Sequence, residues 1–449
     1  MGYELRECAT LPFDFYELTM ASSYLHRGMT KPATFSLFVR RLPPGRGFLV
    51  SAGVESSLEF LERLHIEGDD FAFVKQVLGS DRHVEGLRGL RFSGDVWAVP
   101  EGRIVFAGEP LLEVTASLPE AQLVETFLLN QVTFQTTVAS KAARCYVAAQ
   151  GRQLVDFSFR RTQGIETGVE VARLCAIVGF SSTSNVEAAR RFGIPASGTM
   201  GHSYVQAFRT EKEAFNAFAE DFPEHITFVV DTYDTLDGVK AAVEVAKGQN
   251  LTHGFAVRLD SGDLDTLARQ TRSILDAAGL NHVRVFASGG LDEFGIKHLV
   301  DRNAPIDGFG VGTRVGVAAD APYLDSVYKL VQYGERYTLK LSPDKETYPG
   351  PKQILRHGNP VQDVLALRAE VVPVGHVPLL EPVMVGGKRV HHASSIADSK
   401  RHFLADLDIL PDRALDLKRP EAVVPVPSKR LQQLWAETVA EIRGRTDLA

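Results

Sequence analysis

The sequence is poor in cysteine, with Cys8, Cys145 and Cys175 as the three among its 449 residues. They are scattered and form no Cys-x-x-Cys pair, which argues against a disulfide framework and against a structural zinc site. We therefore expect reduced, buried thiols in a cytoplasmic protein. The sequence also lacks an apolar run of about 18 residues and an apolar segment near its N-terminus, so it predicts neither a transmembrane helix nor a signal peptide.

An excess of positive charge is also missing, because 49 lysine and arginine residues face 56 aspartate and glutamate residues and leave a net charge of -7. A chain without a basic surface is not expected to bind nucleic acid, so an anionic ligand has to be held by local clusters of cations and backbone N–H groups. With 44% hydrophobic and 23% charged residues, the composition is that of a folded globular protein. At about 100–200 residues per domain, the length predicts two or three domains.

Apolar strands alternate with amphipathic helices from about residue 152 to about residue 335. Polar residues or glycine lie near the C-terminal ends of five predicted strands, at Asp156, Asp231, Asp260, Ser288 and Gly310. Such alternation predicts parallel strand pairing. Both a (β/α) barrel and an open doubly wound sheet bind ligands at that end of the strands. The first strand is not followed by a Gly-x-Gly-x-x-Gly motif, which disfavours a dinucleotide-binding sheet.

Two glycine-rich loops follow consecutive predicted strands, namely Ser288-Gly289-Gly290 and Gly310-Val311-Gly312-Thr313. Glycine lets backbone N–H groups turn towards an anion, and the next helix adds its positive N-terminal end. Either loop alone is equally well explained as a tight turn. Because they are consecutive, they predict a phosphate site of the kind that barrel enzymes build from their last loops.

Arginine and carboxylates end the two strands that precede these loops. Arg258 and Asp260 alternate along a strand and therefore share a face. An arginine beside an aspartate near phosphate suggests a polyanionic sugar, with Arg258 on phosphate and Asp260 on ribose hydroxyls or Mg²⁺. Asp231 ends the preceding strand, where helix capping explains its neighbour Asp234 equally well.

The first strand of the alternating region ends in Phe157 and Arg160, and an aromatic face next to guanidinium groups suits a flat aromatic acid. Further along the chain, His202 lies at a strand-to-helix turn, directly after the segment Gly198-Thr199-Met200-Gly201. An exposed histidine in that setting favours a catalytic or covalent role over a structural one. A helix is expected to follow from about Ser203 to Phe218.

The motifs together resemble the nicotinate phosphoribosyltransferase family over nearly the whole chain. The matching segments are FDFYELTMA, RRLPPGRGFLVSAG, DFSFRRTQG, FSSTSNVEAARRFGIPASGTMGHSYVQAF, VDTYDT, VRLDSGDL, ASGGLDEFGI and GFGVGTRV. The resemblance implies an irregular α/β barrel of the type II phosphoribosyltransferase kind at 119–334. It also implies an N-terminal α+β domain at 1–118, completed by C-terminal segments at 335–449. The implied enzyme is a cytoplasmic homodimer with shared active sites.

The reaction implied by the resemblance joins nicotinate to phosphoribosyl pyrophosphate, giving nicotinate mononucleotide and pyrophosphate, with ATP as co-substrate and Mg²⁺. His202 matches the histidine that ATP phosphorylates, and Phe157 and Arg160 match the base-binding pair. Tyr16 matches a tyrosine that stacks on nicotinate in the partner's site, and we expect a short turn at 14–17. The phosphoribosyl group is expected at Arg258, Asp260 and the two glycine loops.

Ser184 bears on the choice between acid and amide, because nicotinamide-specific relatives carry an aspartate at the matching position. A carboxylate there would repel nicotinate, so Ser184 favours the acid. Nicotinamide and quinolinate phosphoribosyltransferases stay open as alternatives, the latter with Lys141 and Arg144 as candidates for a second carboxylate. An isomerase or aldolase acting on a phosphosugar, and a catalytically inactive relative, are more distant alternatives.

Overall fold

The computed structural model describes residues 10–79, 84–224, 226–251, 255–342 and 347–446. The chain divides into two compact units. The split unit comprises Met1–Thr137 and Tyr323–Ala449, and the continuous unit comprises Val138–Pro322. The first of these boundaries falls inside the long helix Glu125–Ala149. The sequence pattern had suggested boundaries near residues 118 and 334.

The helices are, in chain order, α1 (Phe15–His26), α2 (Val54–Arg63), α3 (Gly68–Leu78), α4 (Leu118–Leu123), α5 (Glu125–Ala149), α6 (Ile165–Ile177), α7 (Val186–Phe192), α8 (His202–Gln206), α9 (Glu211–Asp221), α10 (Thr235–Gly248), α11 (Leu264–Ala277), α12 (Glu293–Asp301), α13 (Thr313–Gly316), α14 (Ile396–Asp408), α15 (Asp412–Leu415) and α16 (Lys429–Thr446). Two short 3₁₀ turns cover Glu85–Leu87 and Phe159–Arg161.

The strands are β1 (Pro32–Val39), β2 (Leu49–Val50), β3 (His65–Ile66), β4 (Leu90–Arg91), β5 (Asp95–Ala98), β6 (Ile104–Val105), β7 (Pro110–Ser117), β8 (Gln153–Asp156), β9 (Ser182–Thr183), β10 (Thr227–Val229), β11 (Ala256–Leu259), β12 (Arg284–Ala287), β13 (Gly308–Val311), β14 (Ser326–Tyr333), β15 (Arg336–Tyr337), β16 (Lys352–His357), β17 (Gln362–Leu367), β18 (Val377–Pro378), β19 (Glu381–Val385), β20 (Lys388–Arg389) and β21 (Val426–Pro427).

The split unit is built around an antiparallel sheet with the strand order β15-β14-β1-β7-β5-β19-β20. Its strands come from both ends of the chain, since β1 pairs with β7 on one side and with β14 on the other. β1 is buried at seven of its eight positions, and the ring of Phe35 stacks on Tyr328 of β14 with centroids 4.7 Å apart. The N- and C-terminal segments therefore share one hydrophobic core.

The segment around Tyr16 is the start of a helix and not the isolated turn expected from its composition. α1 begins at Phe15 with Asp14 as its N-cap, and Asp14 and Glu17 form a capping box. In a capping box each side chain accepts a hydrogen bond from the other's backbone N–H, so two unpaired donors of the first turn are satisfied. The Asp-x-x-Glu spacing was the signal for this helix.

The described strands of the continuous unit form one parallel sheet with the order β10-β11-β12-β13-β8-β9. The sheet is curled into half a barrel, and helices connect its strands. The predicted fold class, an irregular α/β barrel with a second α+β domain, is confirmed. Because all six strands run the same way, their C-terminal ends meet at one edge.

Asp234, Asp263 and Asp292 start the helices after three of these strands, and each carboxylate accepts hydrogen bonds from the first turn. The helix expected from Ser203 to Phe218 is instead interrupted. α8 ends at Gln206 and α9 begins at Glu211, because Thr210 caps a new helix by accepting from the Glu213 N–H.

Cys145 and Cys175 are free and buried, whereas Cys8 lies outside the described residues. Among the residues that the structure describes, no helix is long and apolar enough to cross a membrane.

Candidate active site

A cavity of about 660 Å³ opens at the C-terminal edge of the parallel sheet. Its walls come from the loops after β8, β9, β11, β12 and β13 and from the segment that leads into α8. The lining residues are Phe157, Phe159, Arg160, Arg161, Ser184, Gly198, Thr199, Met200, Gly201, His202, Ser203, Arg258, Asp260, Ser288, Gly289, Gly290, Gly310, Gly312 and Thr313. This volume lies in the range of small-molecule sites.

The Ser288–Gly290 loop is held against the neighbouring strand end. The Ser288 N–H donates to the Leu259 carbonyl over 2.8 Å, and the Ser288 hydroxyl donates to Oδ1 of Asp260. Gly289 has φ +92°, and a Cβ at this position would overlap the carbonyl oxygen of Asp260. Only glycine meets both conditions, so the backbone of the loop can lie close to Asp260.

The second glycine loop lies against an aromatic ring. A Cβ at Gly310 would overlap the ring of Phe157, and the Phe157 N–H donates to the Val311 carbonyl over 2.8 Å. Thr313 then begins the short helix α13. The loop that faces one side of the cavity thus also supports the aromatic residue of the other side.

Arg258 brings a positive charge to the cavity wall. Its Nε atom is buried and has no hydrogen-bond partner among the described residues. Burial lowers the pKa of Arg258, and the carboxylates of Asp260 and Asp231 oppose this shift. A guanidinium beside a cavity with an unused buried donor is suited to an anionic ligand.

His202 lies between a hydroxyl group and two carboxylates. Its Nδ1 atom is 3.1 Å from the Thr232 hydroxyl oxygen. Its Nε2 atom is 3.7 Å from Oδ2 of Asp260 and 4.0 Å from Oδ1 of Asp231. The imidazole is 37% exposed, so a ligand in the cavity can reach it. A histidine oriented on one nitrogen and flanked by carboxylates can act as a nucleophile or as an acid and base.

The two carboxylates differ in their surroundings. Burial tends to raise the pKa of Asp260, but the Ser288 hydrogen bond and the charges of Arg258 and His202 outweigh it and lower that pKa. The side chain of Asp231 is 2% exposed, and its Oδ2 accepts hydrogen bonds from the Asp260 N–H at 3.1 Å and the Ser261 hydroxyl at 2.5 Å. Its Oδ1 atom is buried and accepts no hydrogen bond from the described residues.

The part of the cavity next to β8 and β9 holds Phe157, Arg160 and Ser184, as expected for residues that follow two adjacent strands. We call it the aromatic wall. Arg160 and Ser184 are exposed, whereas Phe157 is half-buried. The Ser184 N–H donates to the carbonyl of Asp156 over 2.9 Å, which keeps the two loops together.

Lys141 and Arg144 are not available to a ligand. Lys141 Nζ lies 2.5 Å from one oxygen of Glu293, and Arg144 Nε lies 2.8 Å from the other. Lys141 is 1% exposed and Arg144 is 5% exposed. They are the candidates for a second carboxylate under the alternative substrate quinolinate, and their burial argues against that role. Glu293 pairs with both cations inside the fold, and Lys141 Nζ also lies 3.2 Å from Oδ1 of Asp320.

Tyr16 belongs to the split unit, where its side chain is 43% exposed. Its hydroxyl group interacts with Glu125, and its pKa is raised by burial and by that carboxylate. The ring is therefore partly open to solvent while its hydroxyl end is held.

Several polar residues near the cavity were not assigned a role from the sequence. Thr232 contacts His202, and Thr183 and Asp156 hold the loops of the aromatic wall together. Asp156 was noticed as a strand-end residue, but no spacing rule connects it to Thr183, which lies 27 residues away.

Comparisons with known proteins identify the family to which the chain is similar. Residues 11–133 match the family model described as the nicotinate phosphoribosyltransferase N-terminal domain, and residues 152–329 match the nicotinate phosphoribosyltransferase family. The chain is 46% identical over 422 residues to nicotinate phosphoribosyltransferase pncB2 of Mycobacterium tuberculosis, covering 92% of this chain and 90% of that protein. It is 43% identical over 358 residues to nicotinate phosphoribosyltransferase of Bacillus subtilis, covering 77% and 73%.

Among solved structures, the crystal structure of human nicotinic acid phosphoribosyltransferase superimposes with a TM-score of 0.83 at 28% identity. That match covers 94% of this chain and 99% of the human chain.

Proposed function

Because the chain belongs to the nicotinate phosphoribosyltransferase family, we propose that the cavity at the end of its parallel sheet is where that reaction takes place. The protein joins nicotinate to phosphoribosyl pyrophosphate and releases nicotinate mononucleotide and pyrophosphate, a step of NAD salvage. We also propose where nicotinate and the phosphoribosyl group bind in the cavity, that the reaction uses ATP and Mg²⁺, and that the protein is a homodimer.

Nicotinate is proposed to lie on the wall formed by Phe157, Arg160 and Ser184. The ring of Phe157 offers an aromatic face, and the exposed guanidinium of Arg160 can pair with a carboxylate. Ser184 adds a hydroxyl group without a charge, so it does not repel the acid. This wall supports nicotinate over nicotinamide, whose neutral amide gains less from Arg160.

The phosphoribosyl group is proposed to lie between Arg258, Asp260 and the two glycine loops. The buried Nε of Arg258, which has no hydrogen-bond partner among the described residues, and the N–H groups of Gly289 and Gly290 support binding of phosphate. The carboxylate of Asp260 faces the same space and can accept hydrogen bonds from ribose hydroxyls.

In the reaction, the bond between C1 of the ribose and the pyrophosphate oxygen breaks, and pyrophosphate leaves with the electron pair. The ring nitrogen of nicotinate forms the new bond to C1. The transition state carries positive charge on the ribose, which the lowered pKa of Asp260 allows that carboxylate to stabilise. Holding the nitrogen in line with C1 is the task of the Phe157 wall.

Mg²⁺ fits the donor set, since carboxylate oxygens are the ligands that it prefers. Oδ1 of Asp231, buried and without a hydrogen-bond partner in the described part of the chain, and Oδ2 of Asp260 would hold it together with substrate phosphates. Mg²⁺ would supply positive charge to the departing pyrophosphate. In the described residues, no group of three or more His, Cys, Asp or Glu side chains could hold a metal ion, so substrate phosphates and water would complete its ligands.

His202 is proposed as the residue that ATP phosphorylates. A ring nitrogen would attack the γ-phosphorus, the bond to the bridging oxygen would break, and ADP would leave. The exposure of the ring and its contact with Thr232 support this role, because the imidazole is both reachable and oriented. Phosphate on His202 would add negative charge next to the pyrophosphate side of the cavity.

We further propose a cytoplasmic homodimer in which Tyr16 of one chain stacks on the nicotinate bound by the other. The 43% exposure of Tyr16 supports a contact with another molecule. A dimer with twofold symmetry would then contain two equivalent composite sites.

The observation that carries the proposal is that an aromatic residue with exposed guanidinium groups and two glycine loops beside Arg258 and Asp260 line one cavity of about 660 Å³. The test is to measure product formation from phosphoribosyl pyrophosphate with nicotinate, nicotinamide and quinolinate side by side. Nicotinate should be used far more efficiently than the other two. Equal turnover of nicotinate and nicotinamide would contradict the role given to Arg160 and Ser184, and preferred turnover of quinolinate would contradict the burial argument for Lys141 and Arg144.

A further inference from the structure

A buried chain of hydrogen bonds lies beneath the aromatic wall of the cavity, and we call it the Asp156 network. Oδ2 of Asp156 accepts from the Thr183 hydroxyl over 2.7 Å, and the same hydroxyl oxygen accepts from the Asn185 N–H over 3.0 Å. The Asn185 side chain donates to the Gly168 carbonyl over 3.0 Å. Asp156, Thr183 and Asn185 are each 0% exposed. The network is therefore fully inside the protein.

The network joins three segments that line the cavity. Oδ1 of Asp156 accepts from the Ser158 N–H over 2.9 Å and so sets the start of the loop that carries Phe157 and Arg160. The Asp156 carbonyl accepts from the Ser184 N–H over 2.9 Å. The Thr183 carbonyl accepts from the Ser197 N–H over 2.9 Å, at the beginning of the segment that leads to His202.

Asp156 has no route to a substrate, because it is completely buried and its carboxylate oxygens face backbone and side-chain donors. Burial raises its pKa, and the hydrogen bonds from Ser158 and Thr183 oppose that shift. A buried carboxylate is costly unless donors surround it, and here the donors belong to the loops whose positions matter.

We propose that Asp156 and Thr183 are positioning residues that set the affinity for nicotinate and the preference for the acid over the amide. They act by fixing the aromatic wall and Ser184 relative to each other. This inference rests on the proposed binding of nicotinate to that wall. A displacement of about 1 Å in a supporting shell is enough to weaken a binding site.

On the phosphate-binding wall, the Ser288–Gly290 loop and Asp260 are held by contacts outside this network, whereas the Gly310–Thr313 loop lies against Phe157. Ser288 is fixed by hydrogen bonds to Asp260 and to the Leu259 carbonyl. A change in the Asp156 network should therefore affect nicotinate more than phosphoribosyl pyrophosphate. This selectivity separates a positioning role from a general loss of structure.

The experiment compares Thr183→Val, which removes only the hydroxyl group, with Thr183→Ser, which keeps it. Asp156→Asn keeps the shape of the side chain and removes one acceptor. Thr271→Val is a matched control, because Thr271 is 0% exposed in α11 and its hydroxyl has no hydrogen-bond partner among the described residues. For each variant, KM and kcat are measured for nicotinate, nicotinamide and phosphoribosyl pyrophosphate, together with the temperature of unfolding.

Thr183→Val and Asp156→Asn should raise the KM for nicotinate by about 5- to 30-fold, because part of the energy of a lost hydrogen bond to a charged group reaches the binding wall. Their KM for phosphoribosyl pyrophosphate should stay within about twofold, and the ratio of kcat/KM for nicotinate to that for nicotinamide should fall. Thr183→Ser should restore the nicotinate KM, and Thr271→Val should leave every constant unchanged.

Equal changes in the KM for nicotinate and the KM for phosphoribosyl pyrophosphate would show that the network is only structural. A lower unfolding temperature with unchanged KM and kcat values would show the same. If Thr183→Val does not fold, the Asp156→Asn and Thr183→Ser pair decides by the same criteria. Phe157→Ala separates this inference from the proposed function. An unchanged nicotinate KM in Phe157→Ala would remove the proposed binding wall. A raised KM there, with no effect of Thr183→Val, would remove only the positioning role.

Discussion

Replacing Gly289 by alanine perturbs the phosphate-binding wall at a single carbon atom. The residue has φ +92°, and the new Cβ would overlap the Asp260 carbonyl oxygen. A left-handed conformation costs an alanine roughly 1–2 kcal/mol. Overlap in a packed site adds roughly 1–3 kcal/mol. The loop has to move away from Asp260 to relieve both, so we expect a loss of about 2–5 kcal/mol, shared between the free energy of unfolding and the binding of phosphoribosyl pyrophosphate.

The assay measures urea unfolding and the KM for phosphoribosyl pyrophosphate on the same preparations. Each 1.4 kcal/mol that appears in binding corresponds to about a tenfold higher KM. Gly248→Ala is the matched control, since Gly248 ends α10, has open space around its Cβ position and does not line the cavity. If Gly289→Ala retained both the stability and the KM of the unaltered protein, the close approach of this loop to Asp260 would be refuted.

Four further predictions concern the cavity, the assembly and the split unit. Ser184→Asp should lower kcat/KM for nicotinate through charge repulsion, by a factor that corresponds to about 1–3 kcal/mol of lost transition-state stabilisation. Ser184→Ala should lower it less, and equal effects of the two substitutions would contradict the argument. With ATP and Mg²⁺, an acid-labile, base-stable phosphate should appear at His202, and His202→Ala should lose the ATP hydrolysis and the stimulation by ATP; unchanged stimulation would argue against this role. A mixture of inactive Tyr16→Ala and inactive Asp260→Ala chains should regain activity through one intact composite site, and exchange of subunits without recovery would exclude a role for Tyr16 across the interface. Burial raises the pKa of Glu17 from 4.5 to about 7, so the folded state holds the proton more tightly than the unfolded chain, and the resulting stability is lost as the pH rises from about 5 through 7. Glu17→Gln should therefore flatten the dependence of the unfolding free energy on pH over that range. An unchanged slope would refute the pKa shift.

The burial of Lys141 and Arg144 bears on the choice between nicotinate and quinolinate as the substrate. Quinolinate would need cations for a second carboxylate, but Glu293 already pairs with Lys141 and Arg144 inside the fold. Breaking such a buried pair is costly, because the partner left behind is an uncompensated charge. In the proposed site, the preference for the acid depends on the exposed guanidinium of Arg160 and on the neutral side chain of Ser184.

The amino-acid sequence by itself determined the parallel sheet and the position of its functional edge. Alternating apolar strands and helices require parallel pairing, and polar residues at strand ends then meet at one edge. Sequence also indicated the glycine loops, because the demand for a positive φ at Gly289 and for space at Gly310 is met by one residue type. These are local requirements, so a local pattern can express them.

Contacts between distant positions were decided only by the tertiary structure. Lys141 and Glu293 are 152 residues apart, and nothing in either neighbourhood predicts that the cation is buried against that acid. His202 contacts Thr232, which lies 30 residues away in the sequence, and Asp156 accepts a hydrogen bond from Thr183, which lies 27 residues away. A strand pattern says which face or edge a side chain occupies, whereas its partner depends on how strands and loops are brought together. A lysine or arginine could therefore either line the cavity or form a buried ion pair, and the packing of the tertiary structure determines which of the two occurs.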